Sequence, residues 1–375
     1  MAIHLVFTCV FFLTVSQLLG QERKVVRSVD LLYSVLQKEG VSVSKNYFVI
    51  KRQPLGDKNE VILSLGKWDG TTIELGNVET SRPDRLRVST NQNLVAVNYE
   101  DPGSRRGVIL VKEIGDTQTY LLEDRRGGLF FPEVSPKDNR ILYQLRIPGT
   151  PPQVFLANYK NEGQQFISDG VGQMWLPDAK GYVIKSSGVN PGEALRHGTI
   201  SRSEFEAQIR KRKSGAATPG ATYTLFHEEL NNPAVLPEIE DVNPHISFSP
   251  IKNRLAVMDN GELSVRSYSI SDGRMTFQDK HVIDRSNSVY EISSDFAWAP
   301  DGDLMAYVRS FLDNKGHDYV NRDVFLYDCN SREVYNVYQT LSILENTPVW
   351  THDGQLIITR RAISSERVEI VKLVF

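Results

Sequence analysis

The hydrophobic pattern of this chain is a series of short apolar runs, each of strand length and each bounded by polar residues. Some runs alternate apolar and polar side chains, as in VILVKEI (108–114), which predicts a strand with one buried face. Others are continuously apolar, as in LAVM (255–258) and LIIT (356–359), which predicts strands buried on both faces. The chain is therefore predicted to be all-β.

The runs belong to a repeated unit, in which an aromatic or apolar strand end leads through a turn into a buried strand. The instances are LRVSTNQNLVAV (86–97), FPEVSPKDNRILYQL (131–145), GQMWLPDAKGYVIKS (172–186), HISFSPIKNRLAVMD (245–259), FAWAPDGDLMAYV (296–308) and PVWTHDGQLIITR (348–360). Corresponding turn positions are 46, 41, 73, 50 and 52 residues apart. Most of these steps match one four-stranded blade, so the repeats predict a β-propeller.

The two ends of the chain decide the number of blades. YFVIKR (47–52) opens a further unit, so seven blades are favoured, with six as the alternative. RVEIVKLVF (367–375) is a last strand with no outer partner after it, and KVVRS (24–28) is a candidate partner. DLLYSVLQKEG (30–40) is predicted to form a short amphipathic helix. The propeller would then span 47–375, after a strand and a helix within 21–46.

The longest step between repeats contains a basic insertion at about 187–222. Ser201 and Glu204 have capping-box spacing, which predicts a helix that ends before Gly215. Its tail consists of Arg210, Lys211, Arg212 and Lys213. These cations are candidate binding residues for an acidic protein surface or for phospholipid headgroups. The alternative is an exposed helix end, where cations favour the helix dipole.

The N-terminus has the pattern of a secretory signal. An apolar run, Ile3–Val15, ends before the charged segment QERK at 21–24. This predicts a signal peptide over 1–20, with a short membrane anchor as the alternative. We therefore expect a secreted or periplasmic protein without a transmembrane segment in its mature chain. The formal net charge of −3 does not indicate nucleic acid as a partner.

The sequence offers little that indicates catalysis. Neither a nucleophile elbow nor a phosphate-binding loop occurs, so no catalytic residue is assigned. The loop 311–323 groups Asp313, Asp318 and Asp323, which are candidate Ca²⁺ ligands. These aspartates could equally belong to a solvated loop. No other cofactor is expected. Three tryptophans, at 175, 298 and 350, fall at the repeat position and are interpreted as aromatic residues that pack between blades.

The units over residues 86–375 resemble the propeller repeats of the TolB family, most clearly at 296–308 and 348–360. Related repeats occur in the propellers of prolyl-oligopeptidase-type peptidases. The resemblance implies a periplasmic scaffold that binds partner proteins without catalysing a reaction. An alternative is a propeller-fold lyase or glycosidase that acts on an extracellular polysaccharide. Such an enzyme would need two carboxylates about 5–10 Å apart in a pocket. The oligomeric state is not indicated.

Overall fold

The computed structural model describes residues 26, 28–36, 41–43, 45, 47–53, 59–69, 71–83, 86–116, 118–160, 163–186, 223–236, 245–313, 319–338, 340 and 342–375. These residues form strands and turns, and none of them lies in an α-helix. The strands are β1 (Ser28–Leu36), β2 (Val41–Val43), β3 (Tyr47–Arg52), β4 (Glu60–Lys67), β5 (Thr72–Glu79), β6 (Arg87–Thr90), β7 (Leu94–Glu100), β8 (Gly107–Glu113), β9 (Thr119–Leu122), β10 (Gly128–Val134), β11 (Arg140–Arg146), β12 (Gln153–Asn158), β13 (Gln164–Asp169), β14 (Gly172–Trp175), β15 (Gly181–Lys185), β16 (Tyr223–His227), β17 (Ala234–Val235), β18 (His245–Phe248), β19 (Arg254–Asp259), β20 (Glu262–Ser271), β21 (Arg274–Arg285), β22 (Tyr290–Trp298), β23 (Leu304–Leu312), β24 (Tyr319–Asp328), β25 (Glu333–Tyr338), β26 (Ile343–Trp350), β27 (Leu356–Ala362) and β28 (Arg367–Val374).

The described strands form five four-stranded sheets and one eight-stranded sheet. We name the five sheets unit 1 (β2–β5), unit 2 (β6–β9), unit 3 (β10–β13), unit 4 (β14–β17) and unit 5 (β18–β21). The eight-stranded sheet contains unit 6 (β22–β25) and unit 7 (β26–β28 with β1), and these are joined by one parallel pair, Arg322 with Leu344. Within each unit the strands are antiparallel. The predicted all-β fold of four-stranded blades is confirmed. The count of seven blades stays a prediction, because it depends on dividing the bridged sheet in two.

The core consists of buried clusters that lie between successive units. Leu142 of unit 3 packs with Trp175 of unit 4, for example, in a cluster that joins those two sheets. The final cluster joins unit 7 back to unit 1 through Ile357 and Ile370, which contact Phe48 of β3. Each sheet is thus covered on both faces, which explains why the second strand of a unit is almost continuously apolar.

The repeat turns follow from their residues. In unit 6 the amide of Gly302 donates to the carbonyl of Ala299 at 2.9 Å, and the Ala299 amide donates to the Leu304 carbonyl at 2.8 Å. Gly302 has a φ of 70°, a left-handed conformation that disfavours residues with a Cβ. The Asp301 carboxylate accepts the Asp303 amide at 2.9 Å, as expected for an Asx turn. The same chemistry recurs from unit to unit and fixes where the second strand begins.

The predicted helix over 30–40 is wrong. Residues Ser28–Leu36 instead form β1, which pairs antiparallel with β28 from Ser28 with Val374 to Leu36 with Arg367. The helical spacing of apolar residues was misleading, because β28 has a free edge whose backbone donors and acceptors must be paired. A bulge between Leu31 and Tyr33 shifts the register and leaves Leu31 exposed. The expected partner from the N-terminus therefore exists, but it is the segment 28–36 rather than 24–28.

Three of the predicted segments lie outside the described residues. They are the signal peptide over 1–20, the insertion over 187–222 and the loop segment 314–318. Within the described ranges no helix is long and apolar enough to cross a membrane.

Candidate functional site

The repeat turns of all seven units surround one cavity of about 900 Å³. Every unit contributes the end of its first strand or the turn that follows, so the cavity lies where the units meet. The lining residues are Lys45, Val49, Val88, Ser89, Thr90, Asn91, Gln92, Asn93, Glu133, Val134, Pro136, Lys137, Met174, Trp175, Pro177, Ser247, Phe248, Pro250, Ile251, Trp298, Pro300, Trp350, Thr351 and His352. The residues that define the repeat are thus also the residues that line the cavity.

The wall of the cavity is built from the aromatic position of the repeat. The indole of Trp175 donates to the Glu133 carbonyl of unit 3 at 2.8 Å, and that of Trp298 donates to the Ser247 carbonyl of unit 5 at 3.1 Å. Both side chains are buried, so these bonds join neighbouring units while the rings pack. The interpretation of the repeat tryptophans as aromatic residues between blades agrees with this geometry.

Prolines form part of the rim of the cavity. They occupy the same repeat position in units 3 to 6, where the lining contains Pro136, Pro177, Pro250 and Pro300, and this position is polar in units 2 and 7. Ile251, next to Pro250, is 68% exposed. Proline presets the turn and has no backbone donor that a ligand would need to satisfy. A rigid set of turns with exposed apolar surface is suited to contact with another macromolecule.

Glu133 is the one carboxylate among the described residues that line the cavity. Burial raises its pKa to about 7, although part of the side chain is exposed to the cavity, and a hydrogen bond from Ser89 opposes this rise. Burial also lowers the pKa of Lys45, which lines the same cavity. The site therefore contains a carboxyl group that changes charge close to neutral pH.

The predicted binding residues are mostly outside the described residues. Arg210–Lys213 belong to the insertion, and Asp318 falls in 314–318. Asp323 is buried in β24, where its carboxylate accepts the side-chain amide of Asn321 at 2.8 Å. The described part of the chain contains no group of three or more His, Cys, Asp or Glu side chains that could hold a metal. The calcium site stays a prediction.

Near Asp323 the structure buries a second carboxylate, Glu345, that the sequence did not indicate. Glu345 of β26 accepts the Val324 amide at 3.1 Å and the Thr340 hydroxyl at 3.2 Å. Burial and the neighbouring negative charge of Asp323 raise the pKa of Glu345 to about 8. Burial also raises the pKa of Asp323. In the sequence, Glu345 belongs to the polar run ENT (345–347), which does not indicate burial, so only the contact between units 6 and 7 could identify it.

Comparison with known proteins finds similarity among solved structures. No family model matches the chain, and no curated protein matches it. Among solved structures, the chain is similar to the β-propeller domain of the Trilobed protease from Pyrococcus furiosus, with 13% identity over 76% of this chain and 81% of that chain, at a TM-score of 0.49. It is also similar to TolB from Acinetobacter baumannii, with 12% identity over 88% and 78% of the two chains, at 0.43. For the putative TolB from Agrobacterium tumefaciens the identity is 12% over 85% and 100%, at 0.46. These structures include TolB proteins, as the resemblance of the repeats predicted.

Proposed function

We propose that this chain is a secreted or periplasmic scaffold that binds a partner protein at the cavity between the repeat turns, without catalysing a reaction. The observation that carries the proposal is the cavity itself, which is lined by every unit and carries four prolines and the exposed Ile251 on its turns. A ring of sheets packed on both faces is a rigid platform, and rigid platforms reduce the entropy lost on binding. The partner would seat on the proline rim and direct a side chain toward Glu133.

The chemistry of the cavity favours a protein partner over a small metabolite. Its wall is aromatic and its rim carries exposed apolar surface at Ile251, which a small ligand inside the cavity would leave uncovered. Protein interfaces bury such apolar rims together with a few polar groups that provide specificity. Glu133 supplies an acidic group of this kind in the lining.

The enzyme alternative is not favoured. A glycosidase would need two carboxylates about 5–10 Å apart. Glu133 is the one carboxylate among the described residues that line the cavity. Export is proposed on the apolar run Ile3–Val15 and its abrupt end at Gln21. N-terminal sequencing of the protein from its native host should return a mature chain that starts near Gln21, and a retained Met1 would contradict export by a cleaved signal.

Site-specific photo-crosslinking tests the docking site. A photoreactive amino acid at position 251, on the rim, should give a discrete adduct of defined mass in the native host. The matched control is position 235, because Val235 is 64% exposed and lies in β17, outside the cavity lining. An adduct at 251 that is absent at 235, and that Glu133→Gln weakens, is the expected result. The same adducts at both positions, or none at 251, would overturn the proposal.

A further inference from the structure

Two loops that each contain an Arg-Arg-Gly sequence meet on the surface of units 2 and 3. The first loop, 101–106, joins β7 to β8 and carries Arg105 and Arg106. The second, 123–127, joins β9 to β10 and carries Arg125 and Arg126. The Arg106 guanidinium donates to the Arg125 carbonyl at 2.7 Å, so the two loops are in direct contact. We call these four residues the arginine surface, and none of them lines the cavity.

The first loop is held in one conformation by its own hydrogen bonds. The Asp101 carboxylate accepts the Ser104 amide at 2.7 Å, and the Asp101 carbonyl accepts the Arg105 amide at 2.8 Å. Arg105 itself has a φ of 52°, a conformation that only a well-defined turn maintains in a residue with a Cβ. The backbone at Arg105 is therefore held in place before any ligand binds.

The second loop is anchored in the same way. Asp124 accepts the Arg126 amide at 2.7 Å and forms an ion pair with its guanidinium, also at 2.7 Å. A Cβ at Gly127 would overlap the Arg146 carbonyl, and one at Gly107, where the first loop ends, would overlap the Leu129 carbonyl. The glycines thus allow both loops to lie flush against the strands of unit 3. Preorganised groups of this kind lose little entropy when they bind.

The four arginines differ in what they contact. Arg106 and Arg126 are engaged within the loops, by the Arg125 carbonyl and by Asp124. The exposed guanidinium groups of Arg105 and Arg125 make no hydrogen bond or ion pair with the described residues. Beside them, the Arg146 guanidinium lies 5.0 Å from the ring centre of Phe131, a side chain that is 40% exposed. Two exposed guanidinium groups are thus available on loops that touch each other, and the exposed ring of Phe131 follows the second loop in β10.

We infer that the arginine surface is a second docking site, which binds an acidic polypeptide segment through carboxylates on Arg105 and Arg125. A guanidinium presents a planar fork of donors that matches a carboxylate in two parallel hydrogen bonds. Phe131 offers an apolar contact for the same segment. Because it lies outside the cavity and takes ligands of the opposite charge to that expected at Glu133, this site goes beyond the proposed function.

The charge pattern favours a polypeptide over a membrane or a nucleic acid. Asp101, Glu123 and Asp124 stand within or beside the same loops, so positive charge is confined to separate guanidinium groups instead of forming a broad basic face. Membranes and nucleic acids are polyanions, and the interspersed carboxylates would repel them. A peptide with spaced acidic side chains can place its carboxylates on the two free arginines alone.

The test measures binding of a fluorescein-labelled peptide with spaced glutamates, EGGEGGE, to the full chain by anisotropy at about 50 mM salt. Arg105→Ala with Arg125→Ala should weaken binding at least about tenfold, since two charge-assisted contacts are lost. The matched control removes two exposed arginines from other units, Arg274→Ala with Arg367→Ala, and should change binding less than about twofold. Equal losses in the two double variants would overturn the inference.

Two further arms separate the specific claim from general electrostatics. Arg105→Lys with Arg125→Lys keeps both charges but removes the forks, and binding should fall at least about threefold. Unchanged binding in this variant would overturn recognition through guanidinium forks. Vesicles that contain 30 mol% phosphatidylserine should bind less well than the peptide, and a preference for the vesicles would overturn the choice of a polypeptide. All of these measurements leave the cavity intact, so their failure is distinguishable from failure of the crosslinking at position 251.

Discussion

Replacing Ile370 by alanine tests whether unit 7 closes on unit 1. Ile370 lies in β28, is 0% exposed and packs in the cluster with Phe48, Ile50 and Ile357. Its backbone pairs with Thr359 on one side and with Tyr33 of β1 on the other. Alanine removes three carbon atoms from the contact between the two units and leaves the strand pairing in place.

The cost should be in the upper part of the range for such truncations. An isoleucine-to-alanine change in a core costs about 2–5 kcal/mol, and more where the neighbours cannot move into the space. Phe48 is the neighbour best placed to move, but its ring is packed between Tyr33 and Trp68, with centroids 5.4 Å away on each side. We therefore expect a loss of about 3–5 kcal/mol in the free energy of unfolding.

Urea unfolding, followed by tryptophan fluorescence and by far-ultraviolet circular dichroism, measures this loss. With an m-value of about 3 kcal/mol/M, the midpoint should fall by about 1 M or more, in a single transition seen by both probes. Ile363→Ala is the control, because Ile363 lies in the turn before the same strand and is 45% exposed, and it should cost less than about 0.5 kcal/mol. A midpoint for Ile370→Ala that matches the control would refute closure through this cluster.

Two more predictions concern the same junctions between units. Removal of 367–375 should give insoluble or protease-sensitive protein, because β28 lies between β27 and β1 and each buried apolar side chain contributes about 1.5–3 kcal/mol; a soluble truncation with an unchanged unfolding midpoint would contradict this. The wild-type protein should lose stability as the pH rises, and Glu345→Gln should remove this loss. The pKa of Glu345 is raised from an ordinary 4.5 to about 8, so the folded state keeps a proton that the unfolded state releases above about pH 4.5. Wild-type stability should then fall from pH 5 to pH 9, relative to the variant, in urea titrations at each pH, and parallel profiles for the two proteins would contradict the raised pKa.

The repeat architecture could be predicted because its signals are local. Within about fifteen residues, a unit contains an apolar strand end, a turn with its own hydrogen bonds and a strand that is apolar on both faces. The turn at Ala299–Asp303 shows that each of these choices is made by neighbouring residues. Residues at most five positions apart therefore define the turn of each repeat, and this turn can be predicted without the remainder of the chain.

The cavity was only partly predictable. The position of the repeat aromatics predicted that they pack between units. The raised pKa of Glu133 could not be predicted, because it depends on atoms from several units that surround one carboxyl group. The arginine surface had a sequence signal in its two Arg-Arg-Gly segments, 20 residues apart. The contact between these segments depends on the tertiary structure, because the two loops connect different pairs of strands.

What the sequence determined by itself is the series of strands, their turns and the four-stranded unit, since periodicity and turn chemistry act between near neighbours. What the tertiary structure decided is how the ends and the units meet. Segment 28–36 has the apolar spacing of a helix, yet it forms β1 because the free edge of β28 offers it eight paired positions. That edge is supplied by strands from the other end of the chain, and long-range pairing of this kind overrides a weak local preference.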